Sequence, residues 1–430
     1  MANSRVMSKN FPASTAQPVS IPSEIKVLVA AAFLIAIGFG IVAPVLPQFA
    51  QSFHVSVGAA AIVVSVFAFT RLIFAPLSGV LVERLGERGT YITGILIVAA
   101  SSAACAFAQS YWQLLLFRGL GGIGSTMFTV SAMGLLIRLA PPQARGKVSS
   151  LYAGSFLLGN IAGPAVGGLL AGFGLALPFL VYAGALLLVA LLVGTMLPNT
   201  RTGVEAGKST RTKAGPVPVK TVSQGVLPLR TALGIPAYRA LLVSSFANGW
   251  SAFGIRMALV PLFATAALGA GPEVAGISLA VFAIGTGVAL TFSGKLADTW
   301  GRKPMILLGL AVNGIGMGIL GFTGDVMWFF AISLIAGLGS GLMGPAQQAT
   351  VADVIGNNRS GGKVLATFQM SSDFGAIIGP IAAGYLVDLF SYGIAFSMAT
   401  AVALIALMFW LPARGTHPTP PELVPAPAAS

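Results

Sequence analysis

Charge is scarce in this chain: only 8% of its 430 residues are Asp, Glu, Lys or Arg, where a soluble domain carries about 25%. So little charge cannot cover a water-facing surface, which excludes a soluble globular fold. Cysteine is scarcer still. Cys105 is the single one and lies inside an apolar run, so no intrachain disulfide can form and the reading for it is a small buried side chain. Histidine occurs only at His54 and His417, on opposite sides of the topology derived below. No cluster is spaced to hold a metal. No Ser/His/Asp arrangement and no Walker-type Gly-x-x-x-x-Gly-Lys-Ser/Thr loop is present, which argues against both enzymatic catalysis and ATP-driven transport. Neither a cofactor nor a metal is expected.

What the chain has instead is long apolar runs, 56% of it being hydrophobic. The first, 25–47, is long enough to span a bilayer core of about 30 Å. Eleven more follow, at 58–81, 90–108, 112–138, 146–171, 178–197, 238–268, 274–296, 304–322, 327–352, 363–388 and 391–411. Hydrocarbon offers no partner to a free backbone group, so each run must be a helix. The 54 glycines suit close helix packing in lipid. The expected fold is an all-α polytopic membrane protein with twelve transmembrane helices. Residues 1–24 read as a disordered tail, 25–198 as an N-terminal six-helix bundle, 199–237 as a solvated linker, 238–412 as a C-terminal six-helix bundle and 413–430 as a second tail.

The formal net charge of +13 raises the question of nucleic acid, and its placement answers it. Basic residues gather in the tails, the linker and the loops holding Arg84/Arg88, Arg138/Arg145/Lys147, Lys295/Arg302/Lys303 and Arg359/Lys363. The alternate loops, near 48–57, 109–111, 172–177, 269–273, 323–326 and 388–391, have no Lys or Arg. This asymmetry places both termini and the linker in the cytoplasm; the Arg-rich linker and the lack of targeting signals point to a bacterial plasma membrane. The basic balance is a topology signal, and no nucleic-acid partner is expected.

Two short stretches are versions of one another: Gly79-Val-Leu-Val-Glu83-Arg84-Leu-Gly86-Glu87-Arg88 and Gly294-Lys-Leu-Ala-Asp298-Thr-Trp-Gly301-Arg302-Lys303, about 215 residues apart. Each reads as a tight charged turn between antiparallel apolar helices, with Gly allowing positive φ or close approach. Gly163-Pro164 falls in register with Gly379-Pro380, and Lys147 with Lys363. The chain is two copies of a six-helix unit, the parallel repeat that places a substrate path between its halves.

On these motifs the chain resembles the major facilitator superfamily, specifically its twelve-helix drug:proton antiporter branch. The first turn is similar to the family's G-x-L-x-D-R-x-G-R-[KR], with Glu83 at the acidic position and Glu87 at a basic one; the second keeps Asp298, Gly301, Arg302 and Lys303. Leu114-x-x-x-Arg118-x-x-x-Gly122-x-Gly124, the run Gly159-x-x-x-Gly163-Pro164-x-x-Gly167-Gly168 and the end of the first span, Gly38-Phe-Gly40-Ile-Val-Ala-Pro44-Val-Leu-Pro47, match the same branch. The resemblance implies a monomeric exporter of small organic compounds that exchanges them for protons by alternating access. The alternatives are a proton-coupled importer or sugar/metabolite transporter of the same fold, and a non-transporting receptor or scaffold.

It also implies roles. The charged turns (Gly79, Glu83, Arg84, Gly86, Arg88, Gly294, Asp298, Gly301, Arg302, Lys303) would latch the cytoplasmic mouth. The Gly-Pro runs (Gly159, Gly163, Pro164, Gly167, Gly168, Gly379, Pro380) would let a helix of the other half approach at the seam. Four ionisable side chains fall inside spans, where they are costly and therefore functional candidates: Arg71, Arg118, Arg256 and Asp373. Asp373 is the one acid deep in a span and, at about 15 Å from the cytoplasmic end, level with Arg71. In the family the second and eleventh helices face one another, so Arg71–Asp373 is the expected pair. Arg256 is the competing partner, and expected nearer the outer face. Many exporters of the branch carry an acid in the first helix; this chain has none there, which moves proton coupling to Asp373. Arg118 is expected to bond to carbonyls of the first helix or to organise the cavity, ahead of binding substrate directly. Phe39, Tyr152, Asn160, Phe246, Asn248, Trp250, Gln347, Gln348 and Gln369 are the substrate-cavity candidates, suited to an amphipathic or cationic molecule.

Overall fold

A computed structural model describes residues 22–140, 145–197, 227–356 and 361–414. The N-terminal tail before 22, most of the linker, and the C-terminal tail after 414 lie outside these residues. Eleven helices are long and apolar enough to cross a membrane. One of them, α3 (Val57–Ala106), is two spans folded at Gly86, whose φ of 77° breaks the helical backbone. The twelve expected crossings are thus all there.

In the first half, α1 (Ser23–Val42) and the short α2 (Leu46–Gln51) make the first crossing and the two spans of α3 the next two. They are followed by α4 (Tyr111–Leu139), α5 (Arg145–Ala171) and α6 (Leu177–Met196). In the second, α7 (Leu229–Leu233) precedes α8 (Pro236–Asn248), a π-helical turn (Gly249–Ile255) and α9 (Arg256–Ala266), the last three forming one crossing. Then come α10 (Pro272–Thr299), α11 (Arg302–Leu320), α12 (Val326–Ile355), α13 (Gly362–Leu389) and α14 (Tyr392–Trp410). The stretch read as linker is not all solvated: from 227 onward it is folded, with Leu227 and Ala232 buried against Tyr238 and Leu241. Its local sequence, Leu227-Pro-Leu229, is apolar enough to dock.

Four of the helices that start at the end without basic loops begin at side-chain caps. Ser56, Ser110, Asp325 and Ser391 accept from the N–H groups of Ala59, Gln113, Met327 and Ile394, satisfying donors that a helix start leaves free. The outward faces are apolar along every span, with Leu158, Leu191, Ile335 and Leu404 among the exposed side chains, as a lipid-facing surface requires.

The halves meet at the end without basic loops. There α5 packs on α10 and the first span of α3 on α13. Gly168 sits against Pro272 and Glu273, and Gly384 against Gly58 and Ala61, so closely that a Cβ on either glycine would fall within 3.0 Å of the other helix. Ser65 Oγ donates to Ile377 O at 2.8 Å, and there both helices are buried. One to two turns further, Arg71 and Asp373 are exposed. The helices diverge between these levels, so the molecule is open toward its basic-loop end.

Candidate functional site

The two charged turns carry the same device built twice. Gly86 (φ 77°) and Gly301 (φ 98°) supply the left-handed bend. The residue after each glycine reaches into its own half: Glu87 pairs with Arg138 at 2.9 Å, and Arg302 forms an ion pair with Asp353. Arg138 and Asp353 are themselves 215 residues apart, so the second pair is the first with its signs exchanged. The departure at Glu87 is therefore compensated on α4. The next residue closes the last helix of each half, Arg88 donating to Gly194 O and Lys303 Nζ to Ala413 O at 2.7 Å; cations favour helix C-termini.

Glu83, Arg84 and Asp298 are exposed and make no contact across the halves among the described residues. Gly79 and Gly294 have nothing within 4 Å of where a Cβ would stand, and neither does Gly154 on α5. These glycines are unused in this conformation.

The Gly-Pro runs pack differently from the expectation. Gly159, Gly163 and Gly167 face Ile37, Gly40 and Ile41 of α1, inside the same half, and Gly379 faces Trp250 of the π-helical turn, also inside its half. Spacing of four residues aligns them on one helix face, but the neighbour on that face is the first helix of the same half. The seam uses the adjacent face instead. Pro164 and Gly168 touch Gly276 and Pro272 of α10; Pro380 stays within its half, close to Gly254. Gly384, which stands to Gly168 as Gly379 stands to Gly163, contacts α3.

Asp388, at the end of α13, accepts from Val57 N and Gly58 N, both at 2.9 Å. A carboxylate from one half caps a helix N-terminus of the other, a favourable placement for negative charge. No local signal marks it, because its partners are 331 and 330 positions away. Asp388→Ala is expected to loosen this end by about 1 kcal/mol after solvent screening, about fivefold in the conformational equilibrium. The check is alkylation of Ser65→Cys, at a position 2% exposed here, in a Cys105→Ser background: the rate rises with Asp388→Ala, and an unchanged rate would remove Asp388 from the closure.

Between the halves lies a cavity of about 490 Å³ lined from α1, α3, α4, α5, α6, the π-helical turn, α9, α10 and α12, with Phe128, Phe156, Phe253 and Phe282 as its apolar walls and Arg71, Arg256, Asn160, Ser125, Thr129 and Ser340 as polar ones. A second cavity, about 270 Å³, adjoins it through Phe39, Arg71, Phe253 and Met257 and reaches Arg118, Gln369 and Asp373. All four intramembrane ions thus line the two cavities, with Arg71 as the common wall. The expected Arg71–Asp373 ion pair is not formed at 4 Å or less in this conformation. The two are nevertheless level: Val57 and Gly58 meet Asp388, Ser65 meets Ile377, and continuing that antiparallel register brings Arg71 opposite Asp373. Divergence of α3 from α13 keeps them apart.

Of the two structural roles expected of Arg118, the structure lacks the first, while the residue does line the second cavity. It makes no hydrogen bond to a carbonyl of α1; its guanidinium lies 4.1 Å over the Phe67 ring and 5.7 Å from Phe39, 6% exposed, with Nε unpartnered. Arg256, 9% exposed, donates from Nε to Ala252 O at 2.7 Å and lies 4.3 Å over Phe282. It sits in the half of its crossing toward the end without basic loops, yet lines the same cavity as Arg71. The π turn just before it, pinned by Ser251 Oγ donating to Asn313 Oδ1 at 2.5 Å, resets the helix face that Arg256 presents.

Of the cavity candidates, Phe39 and Asn160 line the central cavity and Gln369 the second. Asn248 touches the rim through Ser340 Oγ at 3.3 Å. Trp250 and Gln347 are buried in packing, Phe246 stacks on Trp250, Tyr152 on Phe156, and Gln348 is exposed. Ser125 and Thr129 were missed although their spacing of seven and eleven from Arg118 puts all three on one face of α4.

The profile described as Major Facilitator Superfamily matches residues 28–255 and 241–429. The chain is 26% identical over 370 residues to Multidrug resistance protein 2 of Bacillus subtilis (strain 168), covering 84% of this chain and 88% of that one. It is 26% identical over 375 residues to Tetracycline resistance protein, class H, of Pasteurella multocida, with 84% and 87% covered. Over 360 residues it is 26% identical to Quinolone resistance protein NorA of Staphylococcus aureus (strain COL), with 83% and 88% covered. In structure it resembles a bacterial homolog of the human lysosomal transporter spinster in an inward-facing, occupied conformation, with TM-score 0.70, 18% identity, and 90% of this chain and 95% of that one covered.

Proposed function

The chain belongs to the Major Facilitator Superfamily, and from that premise we propose that it exports small amphipathic organic compounds across a bacterial plasma membrane in exchange for protons. The named relatives, resistance proteins for several drug classes that align over more than four fifths of the chain, support drug efflux. Both termini and the basic loops lie in the cytoplasm, so the described conformation is the inward-facing one. The protein acts as a monomer, performs no chemistry on its cargo and needs no cofactor beyond the coupling proton.

One observation carries the coupling scheme: Asp373 is the single acid on the walls of the two cavities, set across the seam from Arg71. Facing inward, Asp373 is exposed and releases its proton to cytoplasmic water. Closing that end brings Arg71 to it, and the pair stabilises the ionised carboxylate through the transition. Opening outward separates the halves at the other end and lets a proton in. The unused glycines support this movement. Gly79, Gly154 and Gly294 stand on seam helices at the open end, where closure needs small residues for backbone approach, and Glu83 and Asp298 beside them form the latch.

The test is accumulation of a fluoroquinolone and a tetracycline in inside-out membrane vesicles whose interior is acidified. Accumulation several-fold above vesicles without the protein, abolished by a protonophore, is the expected result. Accumulation that ignores the protonophore would make the protein a facilitator, and accumulation only in right-side-out vesicles an importer.

A further inference from the structure

The walls of the central cavity hold cations and no acid. Arg71 and Arg256 both border it, and among the described residues none that lines it is Asp or Glu. Counting the adjoining cavity adds Arg118 and Asp373, which leaves three guanidiniums against one carboxylate. Arginine stays ionised in proteins, so this positive potential is permanent at any working pH.

The guanidiniums are also short of partners. Neither of the two ion pairs among the described residues involves any of the three. Arg118 is 6% exposed with Nε unpartnered and the Phe67 and Phe39 rings beside its guanidinium. Arg256 is 9% exposed and has carbonyl oxygens and the Phe282 ring for company. Ring faces and carbonyl dipoles offset a buried charge only in part. An anion that enters would complete the set, and an organic cation would meet like charge in a medium of low effective dielectric.

We propose that the cargo of the central cavity is an amphipathic organic anion, a carboxylate or sulfonate on an aromatic body, anchored by Arg256. A planar guanidinium matches such a group with two parallel bonds, and Phe128, Phe156 and Phe282 take the apolar body. Arg71 is left to Asp373. The apolar walls select an organic anion over an inorganic one. This assignment takes its direction of transport from the export reading, while binding stands apart from it.

A matched pair of dyes tests it: fluorescein, an anion, and rhodamine 123, a cation on the same xanthene skeleton. Binding is read by fluorescence polarisation on the full-length protein in nanodiscs of zwitterionic lipid, and transport in inside-out proteoliposomes with an acid interior. Fluorescein is expected to bind at least about tenfold more tightly than rhodamine 123, the factor of one lost charge-assisted contact. Arg256→Gln should weaken fluorescein by about the same factor and Arg256→Lys by less. A second variant, Ser340→Asp, places an acid on the cavity wall and should lower fluorescein and raise rhodamine 123 binding. Rhodamine 123 binding as tightly as fluorescein, fluorescein indifferent to both substitutions, or no binding of either dye overturns the proposal. Inorganic phosphate competing as tightly as fluorescein overturns the organic class. Fluorescein that binds as expected but is not accumulated leaves the anion site standing and removes the export reading instead.

Discussion

Asp373→Asn is expected to reduce gradient-driven accumulation to background, a loss of about 100-fold if removing one member of a desolvated pair costs about 3 kcal/mol. The side chain keeps its size and can still accept a hydrogen bond, so the cavity it shares with Arg71 and Arg118 keeps its shape. What it loses, in the proposed scheme, is the ability to give up a proton and then to hold Arg71 when the open end closes. Exchange of cargo against cargo needs no net proton movement and should survive, now independent of pH. Arg71→Gln should show the same loss of accumulation for the complementary reason, an ionised Asp373 with no cation to meet. The measurement is proton-driven accumulation beside counterflow in the same vesicles. Full accumulation by Asp373→Asn would reduce this residue to a wall of the cavity.

Reversing Glu87 alone is the second large effect. In Glu87→Arg, two guanidiniums face one another where the wild type has a 2.9 Å ion pair, at a position only 7% exposed. A fully buried broken pair costs about 3–5 kcal/mol; Arg138 reaches water, so about 2 kcal/mol, some thirtyfold in activity, is the better figure. The repeat indicates the rescue. Arg302 and Asp353 hold the same positions in the second half with opposite signs, so Glu87→Arg with Arg138→Glu rebuilds in the first half what the second half already has. Transport by the double variant is expected within about threefold of wild type, a coupling far beyond additivity. A double variant as inactive as the single one would mean that Glu87 matters for something other than this pair.

The class of the molecule was legible before any fold was known. Runs of apolar residues, the one-sided placement of Lys and Arg and the offset between the two charged turns specify twelve crossings in two repeats. They do so because each depends on a single local property: hydropathy over a bilayer's thickness, loop charge, or a glycine at positive φ such as Gly86 and Gly301. The level of Arg71 with Asp373 could be reckoned as well, since a helix rises by a constant amount per residue.

The facing of helices was not legible. In a soluble protein the apolar stripe points inward, but here lipid and core are both apolar, so a helix face carries little sign of which it meets. That is why Trp250 and Gln347 were read into the cavity and are buried in packing, and why Phe128 and Phe282, which line it, carried no mark. The same ambiguity turned the Gly159–Gly163–Gly167 stripe toward α1 when the seam was expected. Asp388 and Glu87 depend on distance in sequence: one caps a helix 330 positions away and the other completes a pair from α4. The sequence by itself determined how many helices cross, in which repeat and with which intramembrane charges, all properties written in single segments. Which faces meet, which charges pair and which arginines line the cavities between the halves were decided only when the segments packed, because those are properties of pairs.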